Sequence, residues 1–255
     1  MPRHHPRQQA RQGHRPATPT GRILLYGQHA VTAGLANPDR PLVRLWATEE
    51  ALARLDTRRT VPTEKVQGSA LVRHVGDAPH QGLVLEVGPL PPRSLADIDP
   101  GPDRPALVLA LDRVTDPRNL GAILRTAAAT GVAGVILPGR HSAELNGACA
   151  KAASGALDLV PIVEAGNLAR SLAELKQRNF WLCGLDGDAP DVLETLDLPP
   201  RLVLVLGSEG EGMRRLVAES CDYRARLAIE GVESLNVAVA AGIALYVTAR
   251  KLKPT

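Results

Sequence analysis

The chain has 255 residues and a mass of 27.1 kDa, which predicts one large domain or two modest ones. Its 44% hydrophobic and 22% charged residues can form a buried core, so the composition excludes a wholly disordered protein. The net charge is +3, but five arginines precede the first acidic residue, Asp39, so residues 23–255 carry a net charge of −2. The basic character is concentrated at the amino terminus.

Several further classes are excluded by composition. No apolar run reaches the roughly 18 to 20 residues of a membrane span, so a soluble protein with no membrane partner is expected. One Phe, two Trp and three Tyr argue against a module that stacks RNA bases on aromatic side chains. Cys149, Cys183 and Cys221 show no metal-binding spacing, which predicts no metal site and no disulfide framework and fits a reducing cytoplasm.

The amino-terminal half divides into three parts. Residues 1–21 contain almost no large apolar side chain and predict a disordered basic tail, which either contacts RNA phosphates or is a solvated start. Residues 22–88 predict a small α/β domain, and residues 89–104 lie in a stretch with six prolines that predicts a linker. The elements expected in the small domain are helices at His29–Leu35, Glu49–Leu55 and Ala70–Val75 and strands at Leu42–Ala47 and Leu83–Val87.

Residues 105–255 predict a larger α/β domain. Near-continuous apolar strands alternate here with helical segments, which is typical of a parallel sheet covered on both faces. The expected strands are Ala106–Leu111, Gly134–Leu137, Leu157–Pro161, Phe180–Leu185, Arg201–Leu206 and Arg224–Ile229.

A helix is predicted to begin at Pro117 and end at Gly131, with Asn119 capping its free N–H groups. Arg125 is the only charged residue in the body of this helix. A half-buried guanidinium must be paired or contact a ligand. Gly121 lies one turn earlier and is expected to leave room for something bulky. A structural salt bridge from Arg125 to the sheet is the alternative.

An apolar strand runs into the loop GSEGEG at Gly207–Gly212. Its spacing matches neither the dinucleotide fingerprint nor a phosphate loop. The carboxylates of Glu209 and Glu211 would repel a pyrophosphate, so the loop indicates a cofactor without phosphates. The alternative is an ordinary glycine-rich turn before a helix at Met213–Ala218.

The last helix is expected to begin with Ser234 as its N-cap and Asn236 in its first turn. Alternatively, Asn236 is only a cap partner. Residues 237–247 contain no charge, which predicts a helix that is buried almost all round and suggests a subunit interface.

These blocks, in this order, resemble the SpoU/TrmH branch of the SPOUT RNA 2′-O-methyltransferases. The matching text is Asp116–Gly121 with Arg125-Thr126-Ala127, then Gly207–Gly212, then Ser234–Ala240. The segment Tyr26–Val31 is similar to the start of the L30e-like substrate domain in bacterial large-subunit ribosomal RNA guanosine methyltransferases of that family.

The resemblance implies an α/β fold in which a small L30e-like domain precedes a C-terminal parallel-sheet SPOUT domain with a deep trefoil knot. It implies S-adenosyl-L-methionine as cofactor, RNA as substrate and a homodimer. On the matching positions the catalytic residues are Arg125, Asn119, Glu209, Ser234 and Asn236. The cofactor-binding positions are Gly207, Leu227, Ile229 and Leu235. One departure is Leu227-Ala228-Ile229, where Ile-Pro-Met is usual.

Within this resemblance, a guanidinium with a pKa above about 12 is a poor base. Arg125 is therefore expected to bind the adjacent phosphate and stabilise the developing oxyanion. The family proposal that this arginine is itself the base stays open. The expected target is a guanosine of large-subunit ribosomal RNA. The alternatives are a transfer-RNA ribose methyltransferase and a non-catalytic RNA-binding or ribosome-assembly protein. A nucleotide-dependent oxidoreductase is disfavoured by the missing fingerprint.

Overall fold

The computed structural model describes residues 21–56 and 59–252. The tail predicted at residues 1–21 lies outside these ranges, apart from Gly21. Within them, no helix combines the length and the apolar character that crossing a bilayer requires.

A four-stranded sheet with three helices forms the part of the chain that we call the small unit. Its strand order is β1-β4-β2-β3, with β4 antiparallel to both neighbours and β2 parallel to β3. Its elements are β1 (Ile23–Tyr26), α1 (Gln28–Ala36), β2 (Leu42–Ala47), α2 (Glu49–Ala53), β3 (Thr63–Lys65), α3 (Gly68–Val75) and β4 (Leu83–Val87). Strand β3 was not predicted, because all three of its residues are polar and exposed.

A seven-stranded sheet, which we call the large unit together with its helices, has the order β7-β6-β5-β10-β8-β11-β9. Every neighbouring pair is parallel, which confirms the predicted sheet type. The trefoil knot stays a prediction. The elements are β5 (Ala106–Leu111), α4 (Pro117–Thr130), β6 (Gly134–Pro138), α5 (Gly147–Ala153), β7 (Ile162–Ala165), α6 (Leu168–Gln177), β8 (Trp181–Leu185), β9 (Asp191–Val192), β10 (Arg201–Leu206), α7 (Arg215–Ser220), β11 (Tyr223–Arg226) and α8 (Val237–Leu252).

Several predicted elements differ from the structure. In the small unit, α2 ends at Ala53 and not at Leu55, and α3 begins at Gly68 and not at Ala70. The strand expected at Leu157–Pro161 is wrong, because residues 156–158 form a 3-10 turn and β7 starts only after Pro161. A short apolar run does not distinguish a buried turn from a strand. The strand expected at Arg224–Ile229 stops at Arg226, and the helix expected at Met213–Ala218 is shifted to α7.

The structure confirms both bounds of α4 but not the residue that was expected to cap its start. Pro117 is its first residue and Gly131 ends it in the left-handed conformation (φ 69°), as predicted. The expected cap by Asn119 is wrong, because the side chain of Asp116 accepts the hydrogen bond from the Arg118 N–H at 2.8 Å. Asn119 is thereby left for a contact outside its own helix.

Helix α8 is buried on one face only, so the expectation of burial almost all round is wrong for the single chain. Val237, Ala241 and Leu245 point into the core. The opposite face carries Val239, Ile243 and Tyr246, which are 50%, 39% and 63% exposed. Their spacing of four and three residues places them in one stripe.

The predicted linker at residues 89–104 lies against the large unit. A 3-10 turn at Leu95–Ile98 buries Ile98, which is packed against Gly134 of β6. Asp99 accepts a hydrogen bond from Arg201 Nη2 at 2.8 Å. Partial burial acts to raise the pKa of Asp99, but hydrogen bonds from the Arg201 side chain and the Gly101 N–H, together with the nearby guanidinium charges, lower it overall.

Candidate active site

The glycine-rich loop after β10 is a tight turn that closes on itself. The Ser208 N–H donates to the Gly212 carbonyl at 3.2 Å, and the Gly212 N–H donates to the Ser208 carbonyl at 3.0 Å. Gly210 and Gly212 have φ values of 80° and 65°, which disfavour any side chain. A Cβ on Gly207 would collide with the backbone of Gly212. The loop is therefore a tight turn that positions Glu209, and its contact with a cofactor stays a prediction.

Glu209 joins the loop to the start of α8. Its Oε1 accepts one hydrogen bond from Asn236 Nδ2 and another from the Val237 N–H, both at 2.8 Å. Val237 is the first residue of α8. The N–H groups in the first turn of a helix have no carbonyl partner inside the helix. A carboxylate at this position also interacts favourably with the helix dipole.

Asn236 uses both ends of its amide. Its Oδ1 accepts from the Ala238 N–H at 3.0 Å and from the Val239 N–H at 3.4 Å, so Asn236 is the N-cap of α8. The expected N-cap, Ser234, is wrong: it is exposed and has no hydrogen bond to a described residue. Asn236 Nδ2 donates to Asn119 Oδ1 at 3.2 Å as well as to Glu209. Asn236 therefore does more than cap the helix, which was the alternative interpretation.

The structure brings together one residue from each of the three blocks. Asn119 comes from the first turn of α4, Glu209 from the loop after β10, and Asn236 from the start of α8. These elements meet at the carboxyl edge of the parallel sheet, where open α/β sheets bind their ligands. We call these three residues the polar triad.

Arg125 lies on α4, six residues after Asn119, which is about 9 Å along the helix axis. Its side chain is exposed, so the expectation of a half-buried guanidinium is wrong. It forms no hydrogen bond or ion pair within the described part of the chain, so the salt-bridge alternative is not supported. An exposed guanidinium without a protein partner is available to a phosphate.

The space at Gly121 is filled by protein rather than left for a ligand. A Cβ there would collide with the Cys149 carbonyl and lie 2.6 Å from the Ala152 Cβ. The glycine therefore allows α5 to pack closely on α4. The expectation that it leaves room for a bulky ligand is wrong.

An ion pair between a buried carboxylate and a half-buried arginine, which the sequence did not reveal, anchors the loop. Asp112 follows β5 and is completely buried. Its Oδ1 accepts from Arg214 Nε and its Oδ2 from the Arg214 N–H, both at 2.8 Å. Arg113 and Glu211 form a second, exposed ion pair across the same loop. The position of Asp112 directly after a continuous apolar strand was the only available signal.

Three of the four predicted cofactor positions lie in the segment that directly precedes α8. Leu227 is buried, while Ile229 and Leu235 are half-buried. Between them, residues 228–235 make no backbone–backbone hydrogen bond with any described residue. Peptide groups in this state need water or a ligand as partner. Exposed peptide groups beside apolar side chains suit an uncharged heterocycle, so these residues fit the adenosine part of the implied cofactor.

The described residues contain no cluster of three or more His, Cys, Asp or Glu side chains that could hold a metal ion. Burial raises the pKa of Cys149 and Cys183 to about 12 and that of Cys221 to about 11. All three thiols are therefore poor nucleophiles at neutral pH.

Comparison with known proteins identifies two matching family models. Residues 106–246 match the SpoU rRNA Methylase family. Residues 24–93 match the family described as RNA 2′-O ribose methyltransferase substrate binding.

Curated relatives match along most of the chain. A 23S rRNA (guanosine-2′-O-)-methyltransferase RlmB from Pseudomonas aeruginosa is 42% identical over 243 residues, covering 90% of this chain and 97% of the relative. The protein of the same name from Salmonella typhi is 39% identical and covers 89% and 98%.

Solved structures share the fold. The AdoMet-bound rRNA methyltransferase from Sinorhizobium meliloti has a TM-score of 0.77 and 25% identity, covering 92% of this chain and 89% of that one. A TrmH/SpoU tRNA modifying enzyme from A. aeolicus is 29% identical with a TM-score of 0.52. The match covers 58% of this chain and 76% of that enzyme's chain. Together, the polar triad, the parallel sheet and these matches show that the chain belongs to the SpoU rRNA methylase family.

Proposed function

We propose that this protein transfers the methyl group of S-adenosyl-L-methionine to the 2′-hydroxyl of a guanosine ribose in 23S ribosomal RNA. The observation that carries the proposal is the polar triad, which joins Asn119, Glu209 and Asn236 by hydrogen bonds at the carboxyl edge of the sheet. The RlmB relatives, which match along about nine-tenths of the chain, support the target.

The bound cofactor supplies an electrophilic sulfonium methyl, so the residues of this chain mainly have to align the ribose and help its hydroxyl to lose a proton. In our proposal, Arg125 binds the phosphate next to the target ribose and stabilises the developing negative charge on the oxygen. Asn119 and Glu209 hold Asn236, and Ser234 contacts the target nucleotide. Backbone groups at Gly207, Leu227, Ile229 and Leu235 hold the cofactor.

The small unit is proposed to hold the RNA away from the reacting ribose. A surface groove of about 610 Å³ runs between α1, α2 and the turn at residues 80–82, and its lining includes His29, His80 and Arg54, which forms an exposed ion pair with Glu50. Imidazole and guanidinium groups donate hydrogen bonds to phosphate oxygens and to bases. We propose domain boundaries at residues 22–88, 89–104 and 105–255, which the two separate sheets support.

A homodimer is also proposed. The exposed stripe of Val239, Ile243 and Tyr246 on α8 is the apolar surface that a second copy of the chain would cover. A 23S ribosomal RNA substrate and three free cysteines are consistent with action in the cytoplasm.

The proposal is tested with radiolabelled S-adenosyl-L-methionine and unmodified ribosomal RNA. We expect label in an alkali-resistant dinucleotide, since a 2′-O-methyl group blocks hydrolysis of the adjacent phosphodiester. Absence of transfer, or label on a base, would remove the assignment. Transfer to transfer RNA alone would favour the alternative target, which the A. aeolicus tRNA modifying enzyme represents.

A further inference from the structure

A buried ion pair crosses the contact between the small and the large unit. Arg40, in the segment between α1 and β2, donates from Nε to Oδ1 of Asp158 at 2.6 Å. Asp158 ends the 3-10 turn that follows α5 in the large unit. The two side chains are 1% and 2% exposed. The pair is therefore almost completely removed from water.

The same carboxylate is connected to further parts of the small unit. Asn37 Nδ2 donates to Asp158 Oδ1 at 3.1 Å. Arg40 Nη1 donates to the carbonyl of Gly88 at 3.1 Å, at the end of β4. Arg59 Nη2 donates to the Arg40 carbonyl at 3.1 Å. One aspartate of the large unit thus holds a network that joins three separate segments of the small unit.

Glycines let the backbones of the two units approach each other closely. A Cβ on Gly147 at the start of α5 would lie 2.5 Å from the Leu24 carbonyl of β1. A Cβ on Gly155 would lie 2.9 Å from the Ala33 Cβ of α1, and its φ of 96° already requires glycine. Buried side chains of both units also belong to one continuous hydrophobic core. The units are therefore packed together and not merely tethered.

We propose that Arg40 and Asp158 are positioning residues for methyl transfer, which fix the RNA-binding small unit at one orientation relative to the polar triad. This inference rests on the proposed function. A tethered unit would only raise the local concentration of RNA. A docked unit also orients the bound RNA, which lowers the barrier of the reaction itself.

The chemistry of the pair indicates that it fixes the relative orientation of the two units and does not mainly strengthen their association. A buried ion pair often contributes no more to stability than well-packed apolar residues of the same volume. Apolar contacts, however, tolerate sliding of one surface on another. A guanidinium bonded to a carboxylate and to a carbonyl has a directional geometry, so it selects one relative position of the two units.

The first test is hydrogen exchange of the full chain without RNA. In Asp158→Asn we expect amides of α1 and α5 to exchange about tenfold faster or more, because charge-assisted bonds across the contact are lost. Amides of β10 should keep their protection. The matched control is Glu174→Ala, which removes a carboxylate from an exposed ion pair on α6 and should change neither region.

A second variant keeps the test decisive if Asp158→Asn unfolds. The double variant Arg40→Met/Asp158→Leu replaces the pair by apolar side chains of similar size, so it should fold and keep the protection of α1 and α5. It removes only the directional bonds between the two units, so a wild-type rate of methyl transfer to 23S ribosomal RNA by this double variant would overturn the proposal.

The second test compares two RNA substrates. With a 23S ribosomal RNA transcript, the double variant should lower kcat about tenfold or more, with the KM for S-adenosyl-L-methionine unchanged. With a short stem–loop that carries only the target guanosine, kcat/KM should stay within about twofold of the wild type, because this RNA does not use the small unit. An equal loss on both RNAs would overturn the positioning role. If the wild type methylates neither RNA, the proposed function fails, whereas hydrogen exchange still reports on the contact.

Discussion

Replacing Glu209 by alanine should destabilise the protein and reduce methyl transfer together. Glu209 Oε1 accepts two hydrogen bonds of 2.8 Å, from Asn236 Nδ2 and from the Val237 N–H. At an exposed position each bond contributes at most about 1 kcal/mol, and a carboxylate at a helix start adds about 0.3 to 1 kcal/mol. The free energy of unfolding should therefore fall by about 2 kcal/mol, which lowers Tm by roughly 4 to 8 °C in a chain of this size.

The loss should extend to catalysis because Asn236 would keep only Asn119 as its partner outside α8. The assay is differential scanning calorimetry combined with single-turnover methylation. Glu211→Ala is the matched control, since it removes a neighbouring carboxylate that pairs with the exposed Arg113 and not with the start of α8. Equal Tm values and equal rates for Glu209→Ala and Glu211→Ala would refute the reasoning.

Three further results are expected. Gly121→Ala should cost about 1 to 3 kcal/mol of stability, because its Cβ would collide with the Cys149 carbonyl; chemical denaturation measures this, and an unchanged midpoint would contradict the packing of α5 on α4. Ile243→Lys should convert the proposed dimer to a monomer by placing a charge in the exposed stripe of α8, and light scattering would show an unchanged mass if that stripe were not the interface. At pH 8 a thiol reagent should react slowly with the folded protein and rapidly in denaturant, because raised pKa values keep all three thiols protonated; fast labelling of the folded protein would contradict their burial.

The strands whose bounds the sequence predicted are apolar runs with at most one charged residue that begin directly after a glycine or a proline. Strands β2, β4, β5 and β10 have the predicted bounds. Strand β3 escaped prediction because Thr63–Lys65 is an exposed polar edge strand with no apolar pattern. At Leu157 the apolar residues are buried by a 3-10 turn instead of a strand.

Contacts between distant residues were not predictable from the pattern. Arg40 and Asp158, like Asp112 and Arg214, are more than one hundred residues apart, and neither pair has a local signal. The start of α8 was misplaced by two residues for the same reason. Ser234 and Asn236 are both good caps, and the choice depends on Glu209, which bonds to Val237 from a different part of the chain.

The central claim is that Arg125 and the polar triad transfer a methyl group to a guanosine ribose of 23S ribosomal RNA. The most direct measurement is to map ribose methylation at nucleotide resolution after incubating unmodified 23S transcript and cofactor with the wild type or Arg125→Ala. We predict one 2′-O-methylguanosine with the wild type and none with the variant, at equal Tm, because the Arg125 side chain is exposed. Equal methylation by both proteins, or no ribose methylation by the wild type, would contradict the account.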